Sequence, residues 1–191
     1  MTRVEVIIGG FGGQGSLLAG TVLGNAAVYD GKKVVQNRSY GAEARGGAAR
    51  SEIVISDEEI NYPMVIEADA LIAMSQLAFD RYITKVKENG IVIIDKDVIK
   101  PRRTLCKNVK IVGIPATKIA TQELNQFVAA NMIMVGALIT LTKMVTNKSL
   151  IKSIKINVPR ETEKINIDAL RKGQELAERQ QTIKNERKTF V

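Results

Sequence analysis

Residues 4–8 are a short β-branched run. Directly after them stands Gly9-Gly10-Phe11-Gly12-Gly13-Gln14-Gly15, and the chain then enters an apolar helical pattern. A strand, a glycine-packed turn and a helix start in succession fix the first unit of an α/β fold. Glycines there allow positive φ and let the backbone approach an anion with no Cβ in the way. The amides of Gly12, Gly13, Gln14 and Gly15 are expected to converge at the helix N-terminus, where unpaired donors and the helix dipole favour negative charge. The plainer reading is that these glycines only permit a tight turn and close helix packing, with Ser16 either capping locally or donating to a phosphate.

Gly10, Gly12 and Gly15 satisfy the spacing of a dinucleotide-binding turn, but its companion is missing. The second strand ends Val34-Val35-Gln36-Asn37, with no acid for ribose hydroxyls, and Asp30 precedes that strand as a turn residue. No Gly-Lys-Ser/Thr follows the loop, so it is not a nucleotide-triphosphate loop either.

A second unusual stretch is Ser39-Tyr40-Gly41-Ala42-Glu43-Ala44-Arg45-Gly46-Gly47. Arg45 offers a planar, bidentate fork for a carboxylate or phosphate. Glu43 either orients it or pairs with Arg50. The alternative is a structural loop laced by its own ion pair.

The absences narrow the chemistry. The 191 residues include no histidine and one cysteine, Cys106. Histidine general bases, Ser-His-Asp triads and histidine-rich metal sites are excluded, and one thiol cannot hold an iron–sulfur cluster alone. Cys106 is expected to be a core or loop thiol. A single cysteine and the lack of a secretion signal fit a cytoplasmic location. No apolar run reaches the 18 residues of a membrane span. The net charge is +8, densest over Lys96, Lys100, Arg102, Arg103, Lys107 and Lys110, with no aromatic residues interleaved to stack on bases. That patch reads as a solvated face, or as a docking surface for an acidic protein or a phosphorylated ligand.

Strands are expected over residues 4–8, 33–37, 48–56, 68–74, 91–95 and 109–114, and an extended segment over 150–158. Helices are expected over 15–29, from 75 or 76 to 87, from about 116 with a break near Asn125, over 126–145 and over 160–181. The alternation predicts a three-layer α/β sandwich with a mainly parallel sheet, Rossmann-like, with its ligand edge at the carboxyl ends of the strands. Strand 48–56 follows a loop rather than a helix and is expected to run antiparallel. Residues 1–183 read as one domain and 184–191 as a polar, frayed tail.

Taken together, the first glycine loop, the 39–47 stretch, Ala68-Asp-Ala-Leu-Ile-Ala-Met-Ser-Gln-Leu-Ala78, residues 109–115 and Asn131-Met-Ile-Met-Val-Gly-Ala-Leu138 resemble the gamma subunit of 2-oxoacid:ferredoxin oxidoreductases. Tyr40 with Arg45-Gly46-Gly47 is more similar to the 2-oxoglutarate branch than to the pyruvate branch. The resemblance implies the gamma-domain fold of pyruvate–ferredoxin oxidoreductase and a subunit inactive alone. Its partners are alpha, beta and ferredoxin-like delta type subunits, with ferredoxin as acceptor. Thiamine diphosphate and [4Fe-4S] clusters sit on those partners, and CoA is the co-substrate. The cofactor-facing residues it implies here are Gly12, Gly13, Gln14, Gly15, Ser39, Tyr40, Gly41, Arg45, Gly46 and Asn131. No residue of this chain is expected to be catalytic or to hold a metal. The alternatives are the small subunit of an indolepyruvate or other 2-oxoacid oxidoreductase, a stand-alone nucleotide- or flavin-binding protein, and a scaffold that touches no ligand.

Overall fold

The computed structural model describes residues 3–40, 48–101 and 108–189. Six strands form one sheet in the order β2-β3-β1-β4-β5-β6. They are β1 (Arg3–Phe11), β2 (Lys33–Ser39), β3 (Ala48–Ser56), β4 (Ala68–Ala73), β5 (Val86–Asp95) and β6 (Lys110–Ile114). The β1–β4, β4–β5 and β5–β6 ladders are parallel, while β3 runs antiparallel to both β1 and β2. Five strands therefore point one way, and their carboxyl ends share one edge with the start of β3. The antiparallel placement of residues 48–56 agrees with the sequence pattern.

Alternation along each strand divides the core in two. On one face, Val6, Ile8, Ile53, Ile55, Ile72, Ile93 and Ile114 meet α1 (Ser16–Tyr29), α3 (Ala116–Gln122), α4 (Ala130–Thr142), α5 (Asn147–Asn157) and α6 (Arg160–Thr189). On the other face, Ile7, Val54, Leu71, Val92 and Ile94 meet α2 (Gln76–Tyr82), the 3-10 turn at Ile83–Lys85, Val65 and Ile99. The connection between β3 and β4 crosses this thinner side. The buried Glu5 carboxylate holds it by accepting from the amides of Ile66 (2.6 Å) and Glu67 (3.1 Å), and it also accepts from Arg3 Nε (2.7 Å).

α4 is apolar nearly all round because it lies between the sheet and α6. The α4–α6 crossing brings backbone against backbone. A Cβ on Gly136 would collide with the carbonyl of Leu170, and one on Gly173 with the carbonyl of Ile133.

Three expectations need correction. Residues 147–157 are helix, where 150–158 read as extended. Thr146 starts α5 as an N-cap, its side chain accepting from the Ser149 amide, and Leu150 and Ile154 then face α1 one turn apart. The helix read through residue 87 ends earlier, and β5 begins at Val86. Asn89-Gly90 is not a helix end but a turn of the backbone inside that strand, with Asn89 at φ 63°. α6 continues past residue 181 to Thr189, since its Glu, Lys, Arg and Gln favour helix and neither Gly nor Pro interrupts them.

Candidate functional site

The glycine loop joins β1 to α1 at the carboxyl edge of the sheet, and one side chain organises it. Gln14 Oε1 accepts from the Phe11 amide at 2.6 Å, while Gln14 Nε2 donates to the Met74 carbonyl at 2.9 Å, just beyond β4. Gln14 thereby closes its own turn and pins it to the neighbouring strand end. Its backbone amide donates to the Phe11 carbonyl at 3.2 Å, so it does not join the donors expected to converge on an anion.

The glycines play different parts. Gly13 (φ 88°) and Gly15 (φ 76°) occupy the left-handed region that side chains resist. Around Gly12 and Gly13 the space a Cβ would enter is open, with nothing within 4 Å. At Gly15 the same space is filled by Asn131, which is buried at the start of α4. Asn131 Nδ2 donates to the Gly15 carbonyl at 3.1 Å, and no donor among the described residues reaches Asn131 Oδ1.

Among the described residues nothing accepts from the amides of Gly12, Gly13 or Gly15, and no side chain caps α1. Ser16 does not cap α1. It is buried, and its hydroxyl donates to the Ala49 carbonyl at 3.4 Å. Exposed apolar side chains stand at the loop: Phe11 leads into it, Val128 borders the space beside Gly15, and Phe127 adjoins Val128 in the chain; they are 47%, 41% and 45% exposed. Backbone donors without an acceptor among the described residues thus stand beside exposed apolar side chains.

Ser39 and Tyr40 lie on the same edge. Ser39 pairs with Arg50 of β3, Arg50 lies next to Gly9 on β1, and Tyr40 is 66% exposed beyond the end of β2. With strands about 4.8 Å apart, that places Ser39 about 10 Å across the sheet from β1. Gly41, Arg45 and Gly46, together with Glu43 and Cys106, lie outside the described residues.

From the sequence, Arg50 is one of two alternative partners for Glu43. In the structure its Nε lies 3.3 Å from Glu52, a carboxylate only 3% exposed, and its guanidinium sits 5.8 Å from the centre of the Tyr82 ring. Burial works against the charge of Arg50, but the Tyr82 hydroxyl and the Glu52 carboxylate outweigh it and raise its pKa. The available signal was the i, i+2 spacing of Arg50 and Glu52, which puts both on one face of a strand.

Among the described residues no group of three or more His, Cys, Asp or Glu is placed to hold a metal ion, and no helix is long and apolar enough to cross a membrane.

Comparison with known proteins extends this picture. The family model for pyruvate ferredoxin/flavodoxin oxidoreductase matches residues 5–176. The chain is 47% identical over 176 residues to the 2-oxoglutarate synthase subunit KorC of Methanocaldococcus jannaschii, covering 92% of this chain and 94% of that one. It is 45% identical over 179 residues to KorC of Methanothermobacter marburgensis, covering 91% and 96%. Among solved structures, the gamma subunit of a keto/oxoacid ferredoxin oxidoreductase from Geobacter sulfurreducens superposes with a TM-score of 0.79 at 35% identity, over 91% of this chain and 98% of that one.

Proposed function

The chain belongs to the pyruvate ferredoxin/flavodoxin oxidoreductase family, and from that premise we propose that it is the gamma subunit of a 2-oxoglutarate:ferredoxin oxidoreductase. The whole complex would decarboxylate 2-oxoglutarate oxidatively, form succinyl-CoA and CO2, and pass the electrons to ferredoxin. The near full-length match to 2-oxoglutarate synthase KorC subunits supports this branch over the indolepyruvate alternative.

With one cysteine this chain cannot ligate an iron–sulfur cluster by itself, which fits redox groups carried by other polypeptides. Alpha, beta and ferredoxin-like delta type subunits would carry thiamine diphosphate and the [4Fe-4S] clusters. When bound there, thiamine diphosphate supplies the carbanion chemistry of decarboxylation and the clusters carry the electrons away. In this reading neither group is assigned to this chain.

Its own contribution is a preshaped surface at the carboxyl edge of the sheet. The observation that carries this reading is the asymmetry of the glycine loop, open over Gly12 and Gly13 yet locked at Gly15 by Asn131. The amides of Gly12, Gly13 and Gly15, without an acceptor among the described residues, lead into a 14-residue helix and suit a phosphate of CoA or a carboxylate of a partner. The exposed apolar side chains of Phe11, Phe127 and Val128 suit the uncharged part of the same ligand or neighbour. Ser39, Tyr40, Gly41, Arg45 and Gly46 would continue that surface, with Arg45 as its charged contact.

Copurification tests the proposal. Tagged chain expressed in its native background should bring down thiamine-diphosphate- and cluster-binding subunits in fixed ratio. Recovery as a monomer carrying stoichiometric flavin or nicotinamide would favour the stand-alone reading instead.

A further inference from the structure

A groove of about 380 Å3 opens at the carboxyl ends of β5 and β6. Its floor is apolar, made by Pro115, Ile119 and Leu176. Its walls are charged and come from three separate parts of the chain: Lys96 from the turn after β5, Lys118 from α3, and Lys172 and Arg179 from α6. Only Lys96 belongs to the basic stretch conspicuous in the sequence. The fold assembles the other three around it.

Two carboxylates oppose these four cations. Glu123 is committed to Lys172 at 2.8 Å, and Asp97 stands on the turn beside Lys96. Lys96, Lys118 and Arg179 have no acidic partner among the described residues. Like charges gathered in a groove repel one another and raise the local concentration of anions.

The frame that gathers them is built. Asp95, 1% exposed, accepts from the amides of Asp97 (3.2 Å) and Thr117 (2.9 Å), tying the turn after β5 to the start of α3. The Lys96 amide donates to the Ile114 carbonyl at 3.0 Å. The stem of Lys96 runs over Gly113, where a Cβ would stand 3.1 Å from that of Lys96. Lys172 and Arg179 are seven residues apart on α6 and so share a face.

We propose that this groove binds a phosphate-bearing anion. Two lysines supply compact charges and Arg179 a fork suited to phosphate oxygens. A phosphoryl or pyrophosphoryl group brings enough charge to match three uncommitted cations across from Asp97, whereas one carboxylate does not. The groove lies at β5 and β6, with β4 between it and β1, so its occupant need not be the ligand of the glycine loop, and the inference does not depend on the function proposed above.

The phosphate could come as a free ion or as the end of a nucleotide, and titration calorimetry of the full chain with pyrophosphate and with ADP separates these. Saturable binding is expected. The Lys118→Gln/Arg179→Gln variant should bind about 100-fold more weakly, taking roughly tenfold for each cation removed. Both side chains are exposed, so an unchanged melting temperature should show that the fold is kept. A Lys148→Gln/Lys164→Gln variant, with the same net charge but altered on exposed residues that do not line the groove, should bind as the parent does. ADP binding tighter than pyrophosphate assigns a nucleotide that uses the apolar floor, and equal binding assigns a free phosphate. Equal binding by the parent and the Lys118/Arg179 variant overturns the proposal. So does no binding of either anion at millimolar concentration, which would leave the surplus charge to an acidic partner surface.

Discussion

Asn131 and Gly15 are 116 residues apart, and the Asn131 side-chain amide donates to the Gly15 carbonyl at 3.1 Å from the space that a Gly15 side chain would need. This contact ties the start of α4 to the start of α1 and fixes the exit of the glycine loop. The rest of the loop stays open, so fold and function can be separated by adjacent substitutions.

Gly15→Ala meets both a left-handed backbone and the Asn131 amide. The backbone alone costs about 1–2 kcal/mol, and the collision adds to it. Gly12→Ala meets neither obstacle, so its melting temperature should stay within about 2 °C of the parent. If Gly12 faces CoA or a partner, that variant should raise the apparent KM for CoA or weaken assembly. Thermal denaturation beside CoA kinetics of the assembled complex measures both, and a Gly12→Ala complex identical to the parent in KM and assembly would remove the loop from the site.

Asn131→Ala removes the donor to Gly15, leaves a cavity and should cost about 1–3 kcal/mol. Asn131→Asp should be worse near neutral pH, because it sets a buried carboxylate against a carbonyl oxygen. Burial raises the pKa of that new carboxyl, so Asn131→Asp should regain stability relative to the parent as pH falls. Urea denaturation of the three proteins across pH checks this ordering.

Much of the arrangement around this loop was legible in the sequence. The β-branched run at 4–8, the glycines and the alternation of Ile53, Val54 and Ile55 are local signals, and each matches its observed element. α5 was not legible, because Leu150, Ile151, Ile154, Ile156 and Val158 suit a strand as well as a helix. The Thr146 cap, the packing on α1 and the bond from Ser153 Oγ to the Val22 carbonyl at 2.8 Å decide it. The sequence pattern makes Gln14 a backbone donor, whereas its side chain clamps the loop to Met74, 60 residues away. Neither that contact, nor the Tyr82 ring beside Arg50, nor the gathering of Lys118, Lys172 and Arg179 around Lys96 follows from spacing, since they depend on strand order and on where α2 and α6 lie.

Asp30 gives the fold a distinct acid response. It ends α1 and accepts from Ser149 Oγ (2.6 Å), Thr146 Oγ1 (2.7 Å) and the Thr146 amide (2.6 Å), which fastens α1 to the start of α5. Burial pushes its pKa up, but the bonds from Ser149 and Thr146 and the charge of Lys32 outweigh this and hold it below the usual 3.8. A carboxylate depressed in the folded state stabilises fully above its unfolded pKa and loses that contribution as pH falls through the lower, folded value. Asp30→Ala should therefore be less stable than the parent at pH 7, and the gap should shrink below about pH 4. A gap that does not change with pH would show that the contacts of Asp30 do not depend on its charge.

The α4–α6 crossing should be the least forgiving part of the core. Gly136→Ala or Gly173→Ala forces a methyl group into a carbonyl of the facing helix, and neither backbone can yield without parting the two helices. Each should cost about 3 kcal/mol or more. Calorimetry on both variants, with the exposed Lys164→Ala as control, checks the expectation, and losses near the control's would contradict it.

The central claim is that this polypeptide completes an oxidoreductase assembled from other chains while holding no redox group itself. The most direct test is the rate of ferredoxin reduction with 2-oxoglutarate and CoA by the partner subunits, measured with and without this chain, and by the chain alone. The account predicts full CoA-dependent turnover only when all are present, and none from the chain by itself. Turnover by the isolated chain, or partner subunits equally active without it, would contradict the account.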